Sequence, residues 1–216
     1  MSEVKTWYQE LRINRTVEAL KENGFDVLTS SSGEEALDKV LALIPLESLV
    51  GISGSVTLRE IGLPEALRRR GNRVADHWMA RESGATPEEI RETVRLHPIS
   101  DVFVASSNAV TEKGELVNTD GGGQRVASMI FGPKKVILVV GANKIVGSVE
   151  EGIKRIRDVV APMNHRRRRL STPCAVTGIC SDCKSDDSGC RVTSIIHRRP
   201  RHTDITIVMV EEALGY

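Results

Sequence analysis

The chain has 216 residues, 40% hydrophobic and 27% charged, enough to bury a sizeable core in one globular unit and a tight fit for two. A formal net charge of +1 gives no global electrostatic reason to expect nucleic acid or a membrane surface as partner, and 3% aromatic residues argue against a base-stacking platform. The stretch MSEVKTWYQELRINR lacks the apolar core of a signal peptide, and no apolar run approaches the roughly 20 residues of a membrane span, so a cytoplasmic chain with reduced cysteines is expected.

Trp7, Leu11, Val17 and Leu20 fall near a helical period, which predicts a helix from about Thr6 to Glu22 with Asn23-Gly24 as its stop. Phe25–Leu28 reads as a short strand. Ser32-Gly33-Glu34-Glu35 opens a second helix, acidic in its first turn, that runs to about Leu43 before Pro45 breaks it. Ser48–Ile52 is the next strand, and it empties into Ser53-Gly54-Ser55-Val56-Thr57. Small hydroxyl and glycine residues there expose backbone N–H groups in a geometry that cradles phosphate or carboxylate; Ser55 as a plain N-cap is the competing reading. Neither Gly-Lys-Ser/Thr nor G-x-G-x-x-G occurs. Leu63–Arg70 is a helix that stops at Gly71, and Arg73–Asp76 is a strand. Thr86-Pro87-Glu88-Glu89 is a capping box with proline in the first turn, opening a helix that reaches His97-Pro98. His97 reads as a local cap partner. His77 follows a strand end, but Trp78 and Met79 beside it suggest packing.

Asp101–Ala105 is a fully apolar strand followed by Ser106-Ser107-Asn108-Ala109-Val110-Thr111, and Thr111–Asn118 reads as a turn and an extended segment leading to Asp120. Gly121, Gly122 and Gly123 allow positive φ and close backbone approach, which places Asp120 beside the free amides of a helix Gln124–Phe131. Such helix starts favour anions. Lys135–Val140 is apolar on both faces, as suits a parallel strand covered on each side, and it runs into Gly141–Lys144. Three buried strands thus end in small polar loops, and in a parallel sheet those loops share the edge where ligands bind. A cleft for a small anionic metabolite is expected, with Gly54, Ser55, Thr57, Ser106, Asn108, Thr111, Gly121, Gly122, Asn143 and Lys144 as its binding residues. Lys144 with Asn143 would neutralise the anion, the alternative being a surface cation at a strand end. Glu60, Glu112 and Asp120 are candidates for proton transfer, since paired carboxylates in one cleft have their pKa values pushed apart. For Asp120 the competing role is a helix cap.

Ser148–Val160 is an amphipathic helix expected to end at Pro162, and the basic run of His165 and Arg166 to Arg169 reads as a solvated face rather than a phosphate site. Ile205–Val210 returns the chain to the sheet, so the segment at about 165–195 is an insertion. It contains every cysteine, as Cys174-x5-Cys180-x2-Cys183-x6-Cys190. Four thiolates in one loop can converge on zinc or on the corners of an iron–sulfur cluster. Zinc ribbons show two C-x2-C knuckles and this segment one, which favours a [4Fe-4S] cluster over zinc. A pair of disulfides is disfavoured by a cytoplasmic location.

Gly54-Ser55-Val56-Thr57-Leu58-Arg59-Glu60-Ile61-Gly62, Ser107-Asn108-Ala109-Val110-Thr111, Leu116-Val117-Asn118-Thr119-Asp120-Gly121, Phe131-Gly132-Pro133-Lys134-Lys135 and Gly141-Ala142-Asn143-Lys144-Ile145-Val146 together resemble the LUD (lactate utilization) domain. Thr172-Pro173-Cys174 and Thr177-Gly178-Ile179-Cys180-Ser181-Asp182-Cys183 resemble its cysteine-bearing subgroup. The resemblance implies one LUD-like α/β domain over residues 1–216: a three-layer α/β/α sandwich with a mostly parallel sheet, similar to the superfamily of ribose-5-phosphate isomerase, glucosamine-6-phosphate deaminase and CoA transferases. It further implies a component of a redox system that oxidises L-lactate to pyruvate, with iron–sulfur redox subunits as partners. The ferredoxin-type C-x2-C-x2-C-x3-C run of an electron-carrying subunit is missing. Two other readings are an isomerase- or CoA-transferase-like enzyme for a sugar phosphate or acyl-CoA, with Glu60 or Glu112 as base or nucleophile, and a non-catalytic metal-bearing assembly module. An oligomer is compatible with each.

Overall fold

In the computed structural model, which describes residues 3–216, helices and strands alternate along most of the chain. Helix α1 (Glu3–Glu22) leads to β1 (Asp26–Ser30), α2 (Gly33–Ala42) and β2 (Leu49–Ile52). Then come α3 (Val56–Glu60), α4 (Leu63–Arg70), β3 (Arg73–Asp76), α5 (His77–Glu82), α6 (Pro87–Arg95) and β4 (Val102–Ala105). A short pair, β5 (Ala109–Thr111) and β6 (Leu116–Asp120), precedes α7 (Gln124–Ile130), β7 (Lys135–Gly141) and β8 (Ile145–Val146). The chain closes with α8 (Val149–Arg155), α9 (Ala161–Arg167), α10 (Pro173–Thr177), β9 (Val192–Ile196) and β10 (Asp204–Val210).

Six strands form a parallel sheet in the order β1-β10-β7-β4-β2-β3. Strand β7 shows why the sheet is covered on both sides. Val136, Leu138 and Val140 join a core with Ile13, Val17 and Leu20 of α1, whereas Ile137 and Val139 point the other way, toward Val40, Leu58, Leu63 and Leu67 of α2, α3 and α4. All five side chains are fully buried, each contributing about 1.5–3 kcal/mol of hydrophobic stabilisation. The result is a mostly parallel sheet between two helical layers, the α/β/α sandwich that the alternation of elements suggests. A smaller sheet, β8-β5-β6-β9, carries a third core of Ala109, Val117 and Val146 against Ile156 and Val160.

The topology prepares a crevice. Strand β3 lies on one side of β2, and the chain then crosses back to place β4 on the other. The loops after β2 and β4 therefore leave neighbouring strand ends in opposite directions, the arrangement that opens a ligand crevice in parallel sheets.

Three expectations are revised. The helix from Ser148 does not stop at Pro162: α8 passes through a wider i→i+5 turn at Ile156–Val160 and continues as α9 to Arg167. That wider turn lets Pro162, which has no N–H to donate, sit within continuous helical backbone. Strand β9, antiparallel to β6, is an additional element drawn from the end of the cysteine segment. His97 packs in the core rather than serving as a local cap partner: its ring is buried between those of His77 and Phe103, with centroids 5.7 and 5.3 Å away.

Candidate functional site

The loops after β2, β4 and β7 line one cavity of about 540 Å³ at the C-terminal edge of the parallel sheet. Of the residues singled out in the sequence, Gly54, Ser55, Thr57, Ser106, Asn108, Asp120, Gly121, Gly122 and Lys144 contribute to its wall. Thr111 and Asn143 lie outside that wall: Thr111 Oγ1 bonds Glu115, and Asn143 ties down the C-terminal residues, accepting from Leu214 N and donating to the Gly215 carbonyl.

Lys144 is the most confined of these side chains. It follows β7, is only 3% exposed, and its Nζ donates to Thr57 Oγ1 at 2.7 Å and Ser106 Oγ at 2.8 Å. Among the described residues it has no carboxylate within ion-pairing distance. Burial, reinforced by the Arg155 and Arg125 guanidinium groups and opposed by Glu60, holds its pKa down at about 7. It is therefore not a surface cation.

The three carboxylates separate. Glu112 is bound by Arg12 at 2.7 Å and Arg15 at 3.2 Å, both on α1, and these partners hold its carboxyl below the usual range. Glu60 is exposed and accepts from Gly215 N at 2.5 Å. Neither lines the cavity. Asp120 does, but its carboxylate accepts from the backbone amides of Gly122, Arg125 and Val126, so it fills the helix start that an external anion would otherwise use. Ser55 likewise caps α3 by accepting from Leu58 N.

Arg125, which no local pattern marks, builds the wall from inside. Its guanidinium donates to the Ser106 and Thr119 carbonyls and to the side-chain oxygens of Asn108 and Asn118, joining β6, α7 and the loop after β4. The basic run contributes more than a solvated face, since Arg167 and Arg168 line the cavity with Arg81. Arg167 stacks on Trp78 at 4.1 Å, with Arg59 at 5.2 Å from the same ring. Gly54 permits this, because a Cβ there would overlap the indole nitrogen. Burial and the neighbouring Arg81 and Arg167 charges press Arg168 below its usual pKa range. Leaving the desolvated Lys144 aside, the lining carries four arginines, Arg81, Arg125, Arg167 and Arg168, against three Asp residues, so its field is weakly positive.

Residues 13–210 match the family model of the LUD domain. The chain belongs to the LUD domain family. A crystal structure of a DUF162 family protein from Deinococcus radiodurans is similar to it, covering 94% of this chain and 98% of that one with a TM-score of 0.53. At 12% identity that likeness concerns the fold alone. None of the curated proteins compared with the sequence matches it.

The cysteine segment of this LUD domain forms part of the cavity wall, through Asp186 to Cys190. Cys174 is buried, Cys180 and Cys183 are half-buried and Cys190 is exposed, all as free thiols. His165 Nε2 accepts from Gly189 N at 3.1 Å, so the ring proton sits on Nδ1, which faces Cys174 Sγ at 3.2 Å. Partial desolvation of the thiol pushes Cys190 above its ordinary pKa, and Cys174, Cys180 and Cys183 act on it in the same direction. Among the described residues, no three His, Cys, Asp or Glu side chains are grouped closely enough to hold a single metal ion. No helix among those residues is long and apolar enough to cross a membrane.

Proposed function

We propose that this LUD domain binds a small organic anion in the cavity and serves as a component of a system that oxidises L-lactate to pyruvate. The observation that carries the binding reading is the crowding of Arg81, Arg167 and Arg168 on one wall. Arg168 has no ion-pair partner among the described residues, and its neighbours depress its pKa. Like charges held together in a partly desolvated wall are relieved by an anion, and each charge-assisted hydrogen bond to it contributes about 1.5–3 kcal/mol. The lactate assignment is supported by family membership.

Cys174, Cys180, Cys183 and Cys190 are proposed to hold a [4Fe-4S] cluster, with zinc as the alternative. Their support is the donor chemistry and the gathering of every cysteine of the chain in one segment. The single C-x2-C knuckle with two flanking cysteines, in place of the paired knuckles of zinc ribbons, favours the cluster. Such a cluster supplies one-electron transfer when bound, and iron–sulfur subunits are the matching partners.

The binding test is a titration with L-lactate, pyruvate, acetate and inorganic phosphate, followed by Trp78 fluorescence in a Trp7→Phe background. Saturable quenching that weakens with salt, and by about tenfold or more in Arg168→Ala, is expected; no saturable response to any of the four anions would remove the binding reading. Lactate oxidation in a reconstituted system with and without the chain tests the second half. Equal rates would remove the component assignment.

A further inference from the structure

We infer that Lys144 is a carbonyl-capturing amine: its Nζ forms an imine with an aldehyde or ketone group on the anion that the cavity holds. The inference rests on the anion-binding reading above and names the substrate class, a small anion that carries a carbonyl.

Hydrogen-bond directions carry the argument. The Thr57 hydroxyl donates to the Leu214 carbonyl and the Ser106 hydroxyl to the Ser107 carbonyl, each at 3.4 Å. With their protons directed there, both hydroxyl oxygens accept from Nζ, at 2.7 and 2.8 Å. Two N–H bonds are thereby used, and a neutral amine has just two. An ammonium would bring a third N–H for which the described residues offer no acceptor and no carboxylate, at a buried position. The neutral amine presents a lone pair instead, and Lys144 lines the cavity. The depressed pKa of about 7 leaves a large neutral fraction at and above neutral pH. Desolvated lysines of this kind are the ones that attack carbonyl carbon.

The step is a condensation without redox change. The Nζ lone pair bonds the carbonyl carbon while the C=O π pair moves to oxygen, which takes a proton. The resulting carbinolamine expels that oxygen as water as the C=N bond forms. Both amine protons leave in the water, so amine plus carbonyl gives imine plus water, and protonation of the imine nitrogen yields the iminium. Thr57 and Ser106, already in contact with Nζ, are placed to relay the protons.

The test is reductive trapping with sodium cyanoborohydride in the presence of glyoxylate or pyruvate, beside acetate and L-lactate as carbonyl-free anions. The expected result is a single adduct whose mass gain equals the acid less one oxygen atom, mapped to the peptide containing Lys144. It should fall by about tenfold or more in Lys144→Arg, which keeps a long hydrogen-bond-donating side chain but lacks the nucleophile, and in Lys144→Met. Circular dichroism confirms that each variant is folded, and the Arg variant serves if the Met variant is not. An adduct that is absent, scattered over other lysines, or retained in Lys144→Arg overturns the inference. If acetate and lactate still quench Trp78 while nothing is trapped, the imine falls and anion binding stands; if no anion binds and nothing is trapped, both fall.

Discussion

Replacing Lys144 by methionine should make the protein more stable at neutral pH, and the gain should shrink as pH rises. The amine's pKa is 10.5 in an open chain and about 7 when folded, so charging it in the fold costs about 5 kcal/mol at about 1.4 kcal/mol per unit. Between those two values the unfolded chain keeps the proton and the folded chain does not, so wild-type stability climbs with pH across that window. Below about pH 7 the penalty is fully present. At pH 7 removing the amine relieves about 4 kcal/mol; from this about 1 kcal/mol is lost for each of the Thr57 and Ser106 hydroxyls that lose a donor, leaving a net gain of about 2 kcal/mol. By about pH 9 the relieved penalty is near 2 kcal/mol and the two forms should be about equally stable. Urea denaturation of both proteins at pH 7, 8 and 9 reads this directly. A wild type that is the more stable at pH 7, or a difference that does not change with pH, would mean that Lys144 is ionised in the fold and would refute the reasoning.

Gly114 sits at φ +78° with its hydrogen facing α1, where a Cβ would stand 2.6 Å from the Ala19 carbonyl carbon; Gly114→Ala should cost about 2–4 kcal/mol in urea midpoint analysis, and an unchanged midpoint would contradict the contact. Gly54→Ala should drive Trp78 from its place against Arg59 and Arg167, shifting its emission and costing about 1–3 kcal/mol; an unaltered spectrum in a Trp7→Phe background would place the indole elsewhere. Protein purified without oxygen should contain iron and acid-labile sulfide and absorb broadly in the visible blue, with both lost in Cys183→Ala. A colourless preparation with one zinc per chain would rule out the cluster.

How far the chain could be read depends on how local each determinant is. The capping box at Thr86 and the helix Leu63–Arg70 are written in adjacent residues, and both stand where the pattern places them. The apolar strands β4, β7 and β10 follow from composition alone, since nothing but burial on both faces explains such runs. Strand β9 carries no such signal, because it is largely exposed and owes its conformation to hydrogen bonds with β6. The continuation through Pro162 was hidden for a related reason, the wider preceding turn being a feature of packing rather than of residue type.

The same division runs through the site. Small polar residues after three buried strands mark the cavity floor locally, whereas the roles of individual charges are decided by distant partners. Glu112 is occupied by arginines about 100 positions earlier, and Thr57, which fixes Lys144, is itself held by the Leu214 carbonyl 157 positions on. A lysine at a strand end can be a solvated cation or a desolvated amine, and this C-terminal segment helps make it the second: a Cβ on Gly215 would come 3.4 Å from Nζ. Substitutions at Gly215 should therefore act on Lys144 chemistry through Thr57, whose Oγ1 a Cβ there would overlap, which ties the reactivity of the amine to the turn of chain laid across it.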